Sequence, residues 1–330
     1  MPYTVALTGS SGVVGRAVAR ELLSQGFGVR ALVRSRETAR AVLPADDRLA
    51  LVVGDISDHG LADRLLSGAK GCINLLGILR ESRGEPGAKP QTFRRIHVEA
   101  TRLLVHRCEA LGVKRFVQMS ALGVSDVGVS EYQQTKFEAE MAVRLSGLDW
   151  TIFRPSLIHA PDAESIQMVK QWAAGQKPPY IFMPYFTRQI EDKRVPLGPV
   201  KSVDPQIAPV SVQDVARAFV GCLENSKAVG EVYNLVGSET LTWPQMLQFI
   251  RDHVHGAHAS QPAFGVPAEP AAKLAGLAKH IGLGGLLPFD EGMARMAAQD
   301  SVASLNKVRD DLGLEPEPFR ASFERYASAV

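Results

Sequence analysis

A short β-branched run that leads directly into three evenly spaced glycines constrains this chain more than any other feature. Residues 4–15 read TVALTGSSGVVG, and the helical pattern RAVARELLSQG follows. Gly9 permits a tight turn out of the strand, Gly12 lets the backbone approach phosphates, and Gly15 lets the helix pack closely on the strand. The helix N-terminus then attracts an anion. The pattern predicts a dinucleotide site with these contacts: Gly9, Ser11, Gly12, Val13, Val14 and Gly15.

Strand-like and helix-like runs alternate along the first half of the chain. The predicted strands are Thr4–Thr8, Val29–Val33, Leu49–Val53, Gly71–Leu75, Arg115–Met119 and Trp150–Phe153. The predicted helices include Val14–Gln25, Leu61–Leu66, Phe93–Leu111 and Tyr132–Leu145. Such alternation is typical of parallel strands with helices on both faces. The predicted fold class is α/β, a doubly wound parallel sheet of the Rossmann type with a smaller, interleaved α/β substrate lobe.

The rhythm of the elements changes after Arg154-Pro155, where prolines become frequent and the spacing irregular. Residues 209–224 return to a strand followed by a helix, which indicates that the chain revisits the large lobe. We predict that residues 1–155 form the nucleotide-binding domain and that 207–226 return to it. Residues 156–206 and 227–330 then form the smaller substrate lobe.

Composition limits the kinds of partner. The 330 residues are 45% hydrophobic, enough for a large core, and the net charge is only +2 with dispersed basic residues. This pattern argues against a nucleic-acid binder and favours a small-molecule substrate. No run approaches the roughly 18 apolar residues of a membrane-spanning helix, and no charged-then-apolar leader is apparent, so we expect a cytoplasmic protein.

Cysteine and histidine usage predicts neither disulfides nor a metal site. Three cysteines lie far apart in apolar surroundings, which indicates core packing in a reducing compartment: Cys72, Cys108 and Cys222. The local cluster of His253, His255 and His258 lacks further ligands and is typical of a solvated helix end.

One apolar segment, Ala271–Leu287, carries Lys273, Lys279 and His280 and leaves two interpretations open. It could lie on a membrane surface or on a partner protein. Its glycines favour the alternative, a helix and loop packed on the small lobe. A second aromatic-rich stretch could line a substrate pocket or fill a small core: Trp172, Tyr180, Phe182, Tyr185 and Phe186.

Three polar residues follow the spacing of a proton-transfer site. Ser120 ends a predicted strand, and Tyr132 and Lys136 lie four residues apart on one helix face. Ser130 and Gln133 resemble a capping box, which places Tyr132 in the first helical turn. There the helix dipole and the Lys136 charge would lower the pKa of the phenol, which is otherwise near ~10.

These motifs together resemble the short-chain dehydrogenase/reductase superfamily in its extended, epimerase-like form. The matching segments are TGSSGVVG, Gly54-Asp55-Ile56, MSALG around Ser120, Tyr132–Lys136 and Arg154-Pro155-Ser156. The segments NLLGI at 74–78 and HVEATRLL at 97–104 are similar to relatives of the nucleotide-binding accessory subunit of respiratory complex I.

The resemblance implies roles for individual residues. It implies that Ser120 orients a substrate oxygen, that Tyr132 exchanges its proton, and that Lys136 holds the cofactor ribose. It also implies cofactor contacts from the turns after the third and fourth strands: Asp55, Ile56, Asn74, Leu75, Leu76 and Gly77. His97 stands where many members carry a relay asparagine, and a histidine ordinarily titrates near neutral pH. Relatives often pair two helices in a dimer, but charges spread over both helices here lead us to expect a monomer.

The residue after the second strand indicates the type of cofactor. NAD-preferring sites place an acidic residue there, whereas this chain has Arg34, whose guanidinium suits a 2′-phosphate. We therefore predict that NADP(H) is preferred over NAD; the alternative is that Arg34 is an ordinary solvated charge. Two functions remain open: an NADP(H)-dependent oxidoreductase or epimerase using Ser120, Tyr132 and Lys136, or a protein that holds NADPH and acts through partners.

Overall fold

The computed structural model describes residues 3–82, 89–191, 200–280, 287 and 289–330. Its strands are β1 (Thr4–Thr8), β2 (Gly28–Val33), β3 (Leu49–Val53), β4 (Gly71–Asn74), β5 (Arg115–Met119), β6 (Asp149–Pro155), β7 (Ile158–His159), β8 (Met183–Glu191), β9 (Val200–Val203), β10 (Gln206–Ile207), β11 (Val210–Ser211), β12 (Glu231–Leu235), β13 (Leu241–Thr242) and β14 (Ala263–Pro267). Its α-helices are α1 (Val13–Ser24), α2 (Arg36–Val42), α3 (His59–Leu66), α4 (Ala100–Leu111), α5 (Glu131–Arg144), α6 (Glu164–Ala173), α7 (Val212–Gly221), α8 (Trp243–His253), α9 (Ala268–His280), α10 (Glu291–Ala297), α11 (Asn306–Leu312) and α12 (Phe319–Glu324).

Seven parallel strands form the large sheet in the order β12-β6-β5-β4-β1-β2-β3. The strand order reverses between β1 and β4, and in such sheets ligands bind outside the carboxyl ends at this point. The prediction of a doubly wound Rossmann sheet is confirmed. The six predicted strands lie at their predicted places, with shifts of one or two residues at some ends.

Both faces of the sheet are covered, as the apolar run in β1 requires. Val5 and Leu7 belong to a core shared with α1 and α7. Ala6, which points to the other face, packs in a core shared with α3 and α4. The predicted core role of the cysteines is confirmed, because all three are free and fully buried in these two cores.

The structure departs from the prediction at three elements. The predicted helix Phe93–Leu111 begins as a π-helix at Arg94–Glu99 and becomes α4 only afterwards. A short helix, α2, follows Ser35, whose Oγ accepts a hydrogen bond from the Thr38 backbone as an N-cap. The strand β12 pairs with β6, so the assignment of residues 227–330 to the small lobe is wrong for this strand. Tyr233 and Leu235 of β12 are fully buried in the core of the large sheet.

The remaining elements build a second core around α6, α8 and α12. A three-stranded sheet, in the order β14-β8-β9, lies beside it. Helix α9 packs through Ala271 and Ala272 against Ala294 of α10, whereas residues 281–286 of the apolar segment predicted at 271–287 lie outside the described residues. Within the described ranges, no helix combines the length and apolarity needed to cross a bilayer.

A buried ion pair joins α5 to β6 and makes the first testable prediction. Glu140 is fully buried, and Arg154 donates two hydrogen bonds to its carboxylate at 2.8 and 2.6 Å. Glu140→Gln removes the charge and leaves Arg154, and Arg144 beside it, without an anionic partner. We expect the free energy of unfolding, measured by urea titration, to fall by about 2–4 kcal/mol.

The matched control for this substitution is Glu138→Gln on the same helix. Glu138 forms ion pairs with Arg94 and Arg102, whose side chains are more than half exposed. Surface pairs of this kind contribute about 0.2–1 kcal/mol, so the control should change stability much less. Equal losses in the two variants would contradict a structural role for the buried pair.

Candidate active site

A cleft of about 530 Å³ lies at the carboxyl ends of β1 to β4. Nine of the residues predicted to contact a cofactor line it: Gly9, Ser11, Gly12, Arg34, Asp55, Ile56, Leu75, Leu76 and Gly77. The other predicted contacts are not among the lining residues: Val13, Val14, Gly15, Asn74, Tyr132 and Lys136. Further lining residues were not predicted as cofactor contacts, among them Gly54, Ile78, Arg80, Ser82, Gln91 and Ile96.

The glycine turn is packed so closely that larger residues would not fit at Gly9 or Gly15. Gly9 has a φ of 63°, and a Cβ there would lie 2.9 Å from the Leu75 carbonyl oxygen. A Cβ on Gly15 would collide with the Gly9 carbonyl oxygen, so Gly15 permits the close packing of α1 on β1. Gly12 is the N-cap of α1. The turn thus offers the backbone and helix end that suit a pyrophosphate.

Asn74 has a structural role that the sequence did not reveal. Its side chain is fully buried, and it accepts a hydrogen bond from the Thr8 hydroxyl at 2.6 Å. Its amide nitrogen donates to Thr101 and to Gln118 at 3.1 and 2.9 Å. The amide is therefore used between strands and Asn74 does not line the cleft, while its proximity to a cofactor stays a prediction.

Two charged residues, Arg34 and Asp55, line the cleft. Arg34 follows β2 directly and is exposed, and its guanidinium has no hydrogen-bond or ion-pair partner among the described residues. Asp55 binds Arg95 through two hydrogen bonds of 2.7 Å. Although burial works against ionisation, bonds from the Ser57 backbone and from Arg95 lower the pKa of Asp55 to about 2. The cleft therefore combines an available guanidinium with a carboxylate that is already neutralised.

Helix α5 presents its polar residues as the predicted cap requires. Ser130 is the N-cap and its Oγ accepts from the Gln133 backbone, whereas the Gln133 side chain accepts from the Val129 backbone, one residue before the cap. Tyr132 lies in the first turn, as predicted. Lys136 is almost fully buried, and its Nζ donates to the carbonyls of Leu76 and Met119.

The predicted lowering of the Tyr132 pKa is wrong. Burial raises the pKa of Tyr132 to about 12, with no compensating contribution from Lys136. Burial also lowers the pKa of Lys136 to about 8, although the nearby Glu140 carboxylate opposes this shift. Tyr132 is therefore a neutral phenol at physiological pH, and it can give a proton rather than accept one.

Lys136 nevertheless reaches the cleft wall through Gly77. A Cβ added at Gly77 would lie 2.9 Å from Lys136 Nζ and 3.9 Å from His97 Nε2. Since Gly77 lines the cleft, its missing side chain leaves a narrow space beside the ammonium group. A ribose hydroxyl placed there would find a donor. The glycine turn, Arg34 and this space together fit a nicotinamide dinucleotide.

His97 holds the turn after β4 in place. Its Nε2 accepts from the Ile78 backbone N–H at 3.2 Å, so its Nδ1–H donates to Thr135 Oγ1 at 3.0 Å. Thr135 in turn donates to the Glu131 carbonyl at 2.7 Å. Burial and the Lys136 charge lower the pKa of His97 to about 2. The expectation that His97 titrates near neutral pH is therefore wrong.

Ser120 is buried with an unused hydroxyl. It follows β5 directly, and its Oγ has no hydrogen-bond partner within the described part of the chain. A buried hydroxyl without a partner costs free energy unless a ligand pairs with it. Met119, the residue before it, contributes the carbonyl that binds Lys136. Ser120 and Lys136 therefore share one corner of the site.

A second cavity, of about 460 Å³, lies in the small lobe and is largely apolar. Four of the five residues in the aromatic stretch line it: Trp172, Phe182, Tyr185 and Phe186. The fifth, Tyr180, is exposed. Other walls come from α8 and α10. The charged residues that line it within the described ranges are Arg80 and Glu164.

The cleft and the apolar cavity adjoin each other at residues 78–80. Arg80 lines both spaces, and its neighbours Ile78 and Leu79 each line one of them. The Tyr132 ring packs edge-on against His97, the residue that binds Ile78. On its other side, Ser130 touches Gly292 of α10, next to the cavity residue Met293. Tyr132 lines neither space, but it contacts His97, which binds Ile78 in the segment that both spaces share.

His97 generates a prediction about pH. A histidine whose pKa is lowered by folding stays neutral while the unfolded chain takes up a proton below about pH 6.5. Stability should therefore fall on acidification, by up to about 1.4 kcal/mol per pH unit from this residue. We expect His97→Gln to flatten the dependence of unfolding free energy on pH between 6 and 4.

Imidazole ¹⁵N NMR gives an independent readout of the same residue. Its signals should show the neutral, Nδ1-protonated form from pH 8 to pH 5, as the bonds to Ile78 and Thr135 require. A titration midpoint near pH 6.5 for His97 would contradict this assignment.

Comparisons with known proteins agree with this geometry. The family model for NAD(P)H-binding proteins matches residues 9–177, just over half of the chain. Ceramide reductase of Caulobacter vibrioides is 28% identical over 255 residues, which cover 77% of this chain and 71% of that protein. A short-chain dehydrogenase/reductase superfamily protein from Agrobacterium tumefaciens, solved with bound NAD, has the same fold, with a TM-score of 0.63, 19% identity, and coverage of 98% of this chain and 96% of that one.

The expected similarity to complex I is also found. Subunit 9 of the NADH dehydrogenase (ubiquinone) 1 alpha subcomplex from Dictyostelium discoideum is 23% identical over 248 residues. The match covers 74% of this chain but 62% of that subunit, so the chain spans less than two thirds of its length. The chain belongs to the NAD(P)H-binding family.

Proposed function

We propose that this protein is an NADPH-dependent reductase that acts on the carbonyl group of an apolar substrate. The observation that carries the proposal is the segment 78–80, where the cleft and the apolar cavity share Arg80, and where Ile78 is bound by His97, the residue on which Tyr132 packs. A substrate in the cavity would place a carbonyl beside the nicotinamide end of the cleft. Similarity to a ceramide reductase supports an apolar carbonyl compound as the substrate class.

The cofactor preference rests on Arg34. This guanidinium lies at the end of β2 on the cleft wall, where a 2′-phosphate would be close. Asp55, the nearest carboxylate of the neighbouring turn, is engaged by Arg95. It is therefore poorly placed to repel a phosphate or to bind a ribose hydroxyl. NADPH is accordingly the proposed cofactor rather than NADH.

The chain supplies proton transfer and positioning. The nicotinamide, when bound, supplies the hydride that goes to the carbonyl carbon. Tyr132 gives its phenolic proton to the carbonyl oxygen, and the raised pKa keeps that proton in place until negative charge develops. Ser120 uses its unpaired hydroxyl to orient the same oxygen. Lys136 binds the ribose through the space beside Gly77.

The lining of the cavity separates this proposal from a sugar-nucleotide epimerase. A diphosphate-linked sugar carries at least two negative charges and many hydroxyl groups. The described cavity wall offers one guanidinium, Arg80, and one carboxylate, Glu164, among mostly aliphatic and aromatic side chains. Burying phosphates there would cost far more than burying an alkyl chain. An apolar ketone or aldehyde therefore fits better.

A second function has its own supporting observation. Similarity to a complex I subunit suggests a protein that holds NADPH and acts through partners. The raised Tyr132 pKa and the use of Lys136 Nζ by two carbonyls are compatible with such a role. Both functions share the cofactor cleft, and turnover distinguishes them.

Arg34→Ala tests the cofactor assignment. Removing a charge-assisted contact to the 2′-phosphate should weaken NADPH binding by about 1–3 kcal/mol and leave NADH binding nearly unchanged. Fluorescence titration of the purified protein with each nucleotide measures both. Arg40→Ala, which removes an exposed arginine from the last turn of α2, is the control. A wild-type protein that binds NADH as tightly as NADPH would refute the assignment.

A series of aliphatic ketones tests the substrate class. Each methylene buried in the cavity contributes about 0.8 kcal/mol, so kcat/KM for NADPH oxidation should rise about three- to fourfold per methylene until the cavity is filled. Met168→Trp narrows the cavity from a half-buried position on α6 and should shift the optimum to shorter ketones. Steady-state rates across the series measure both effects.

Tyr132→Phe is the catalytic control in that assay. It keeps the ring that packs on His97 and Phe93 but removes the proton donor. NADPH affinity should remain nearly unchanged while turnover falls about 10²-fold or more. An absence of turnover by the wild type on every ketone, with NADPH binding intact, would favour the cofactor-holding function.

A further inference from the structure

Helix α9 buries its small residues and exposes its large ones. Its contacts with α10 and with the β8–β14 sheet are made by alanines, which are almost fully buried: Ala268, Ala271, Ala272 and Ala275. Leu274 and Leu277, three residues apart, are 56% and 60% exposed. An amphipathic helix in a self-sufficient fold shows the reverse pattern. The leucine face of α9 is therefore suited to an apolar environment outside the fold.

A second group of exposed apolar residues lies in the loop before β8 and on β14, the strands against which α9 packs. Ile181 is 73% exposed and Tyr180 is 55% exposed, both in the loop that leads into β8. Phe264 of β14 is 56% exposed, and its ring packs in a tilted orientation against Phe182, a lining residue of the apolar cavity, with the ring centroids 5.1 Å apart. We call these three residues and the two leucines of α9 the apolar rim. Phe264 connects the apolar rim to the cavity wall.

Two exposed lysines lie next to residues of the apolar rim. Lys177 precedes the loop, and Lys273 adjoins the leucines of α9; both are exposed and have no ion-pair partner in the part of the chain that the structure describes. The acidic residues near α9 are already engaged, because Arg295 pairs with both Glu269 and Glu291. Exposed lysines around apolar side chains are the pattern that anionic lipid headgroups attract.

We propose that the apolar rim docks on the surface of an anionic lipid bilayer, so that the apolar cavity opens towards the membrane. The leucines, Ile181 and Phe264 enter the headgroup region, and the lysines contact lipid phosphates. The link from rim to cavity through Phe182 gives an apolar substrate a route that avoids water. That route rests on the function proposed above, whereas the docking does not.

Vesicle co-sedimentation of the full-length chain tests the docking. The protein should sediment with phosphatidylcholine vesicles that contain 30% phosphatidylglycerol, and much less with phosphatidylcholine alone. Ile181→Ser with Leu277→Ser, neither of which lines a cavity, should lower the partition coefficient at least tenfold. Lys177→Gln and Lys273→Gln should each lower it about fivefold on anionic vesicles only.

Two matched measurements keep the outcomes separate. Leu111→Ser with Leu145→Ser removes exposed leucines near the ends of α4 and α5 in the large lobe and should leave sedimentation unchanged. Light scattering without lipid shows whether copies associate instead. Absent vesicle binding, equal binding by the rim and control variants, or self-association that the rim variant abolishes would each overturn the proposal.

NADPH binding and turnover of a water-soluble ketone are measured on the same variants. Both should match the wild type in the rim variant, because its two residues lie outside the cleft and the cavity. If the wild type turns over the ketone but does not bind vesicles, only the docking proposal is refuted. Vesicle binding with no turnover on any ketone would remove the proposed function and leave the docking.

Discussion

The carboxamide of Asn74 ties together the carboxyl ends of the central strands, on which the site depends. Asn74 lies opposite Thr8 of β1 and Gln118 of β5 in the strand register, and it bonds to both. It also donates to Thr101 of α4 and accepts from the Leu76 backbone. All its hydrogen-bonding capacity is used in a fully buried position, where each unpaired group would cost about 1–3 kcal/mol.

The turn that follows Asn74 positions Lys136 and His97. The Leu76 carbonyl accepts from Lys136, Gly77 gives the ammonium group access to the cleft, and the Ile78 N–H donates to His97. His97 must stay neutral, because its Nε2 lone pair is used and the Lys136 charge lies near it. A proton on both groups would place like charges in a buried space. The turn therefore allows one cation there, and Lys136 is that cation.

The sequence predicts the sheet well because its signals are local. The glycine turn, the alternation of strands and helices, and the Ser130 cap each depend on a few neighbouring residues, and each lies where it was predicted. The strand β12 was missed because its partner, β6, lies far back along the chain. The π-helical start of Phe93–Leu111 was also missed, since propensity does not separate π from α turns.

The candidate site was predicted in position but not in electrostatics. A spacing of four residues places Tyr132 and Lys136 on one helix face, but burial determines their pKa values, and burial depends on residues distant in sequence. Phe93 and His97 enclose the phenol, and the carbonyls of Leu76 and Met119 hold the ammonium. The aromatic stretch was the only sequence feature that indicated the apolar cavity. The walls of the cavity come from elements distant in sequence: α6, α8, β8, β14 and α10.

In the reaction that we propose, the raised pKa of Tyr132 suits the reduction of a carbonyl group. A phenol with a pKa of about 12 holds its proton throughout the physiological range, so it is ready to protonate an oxygen but poor at removing a proton from an alcohol. As a carbonyl is reduced, its oxygen becomes far more basic than a phenolate, and proton transfer becomes downhill. Ser120 can stabilise the same oxygen without changing its own charge. The proposed reduction of a carbonyl therefore needs an acid that stays protonated until negative charge develops, and Tyr132 meets that requirement.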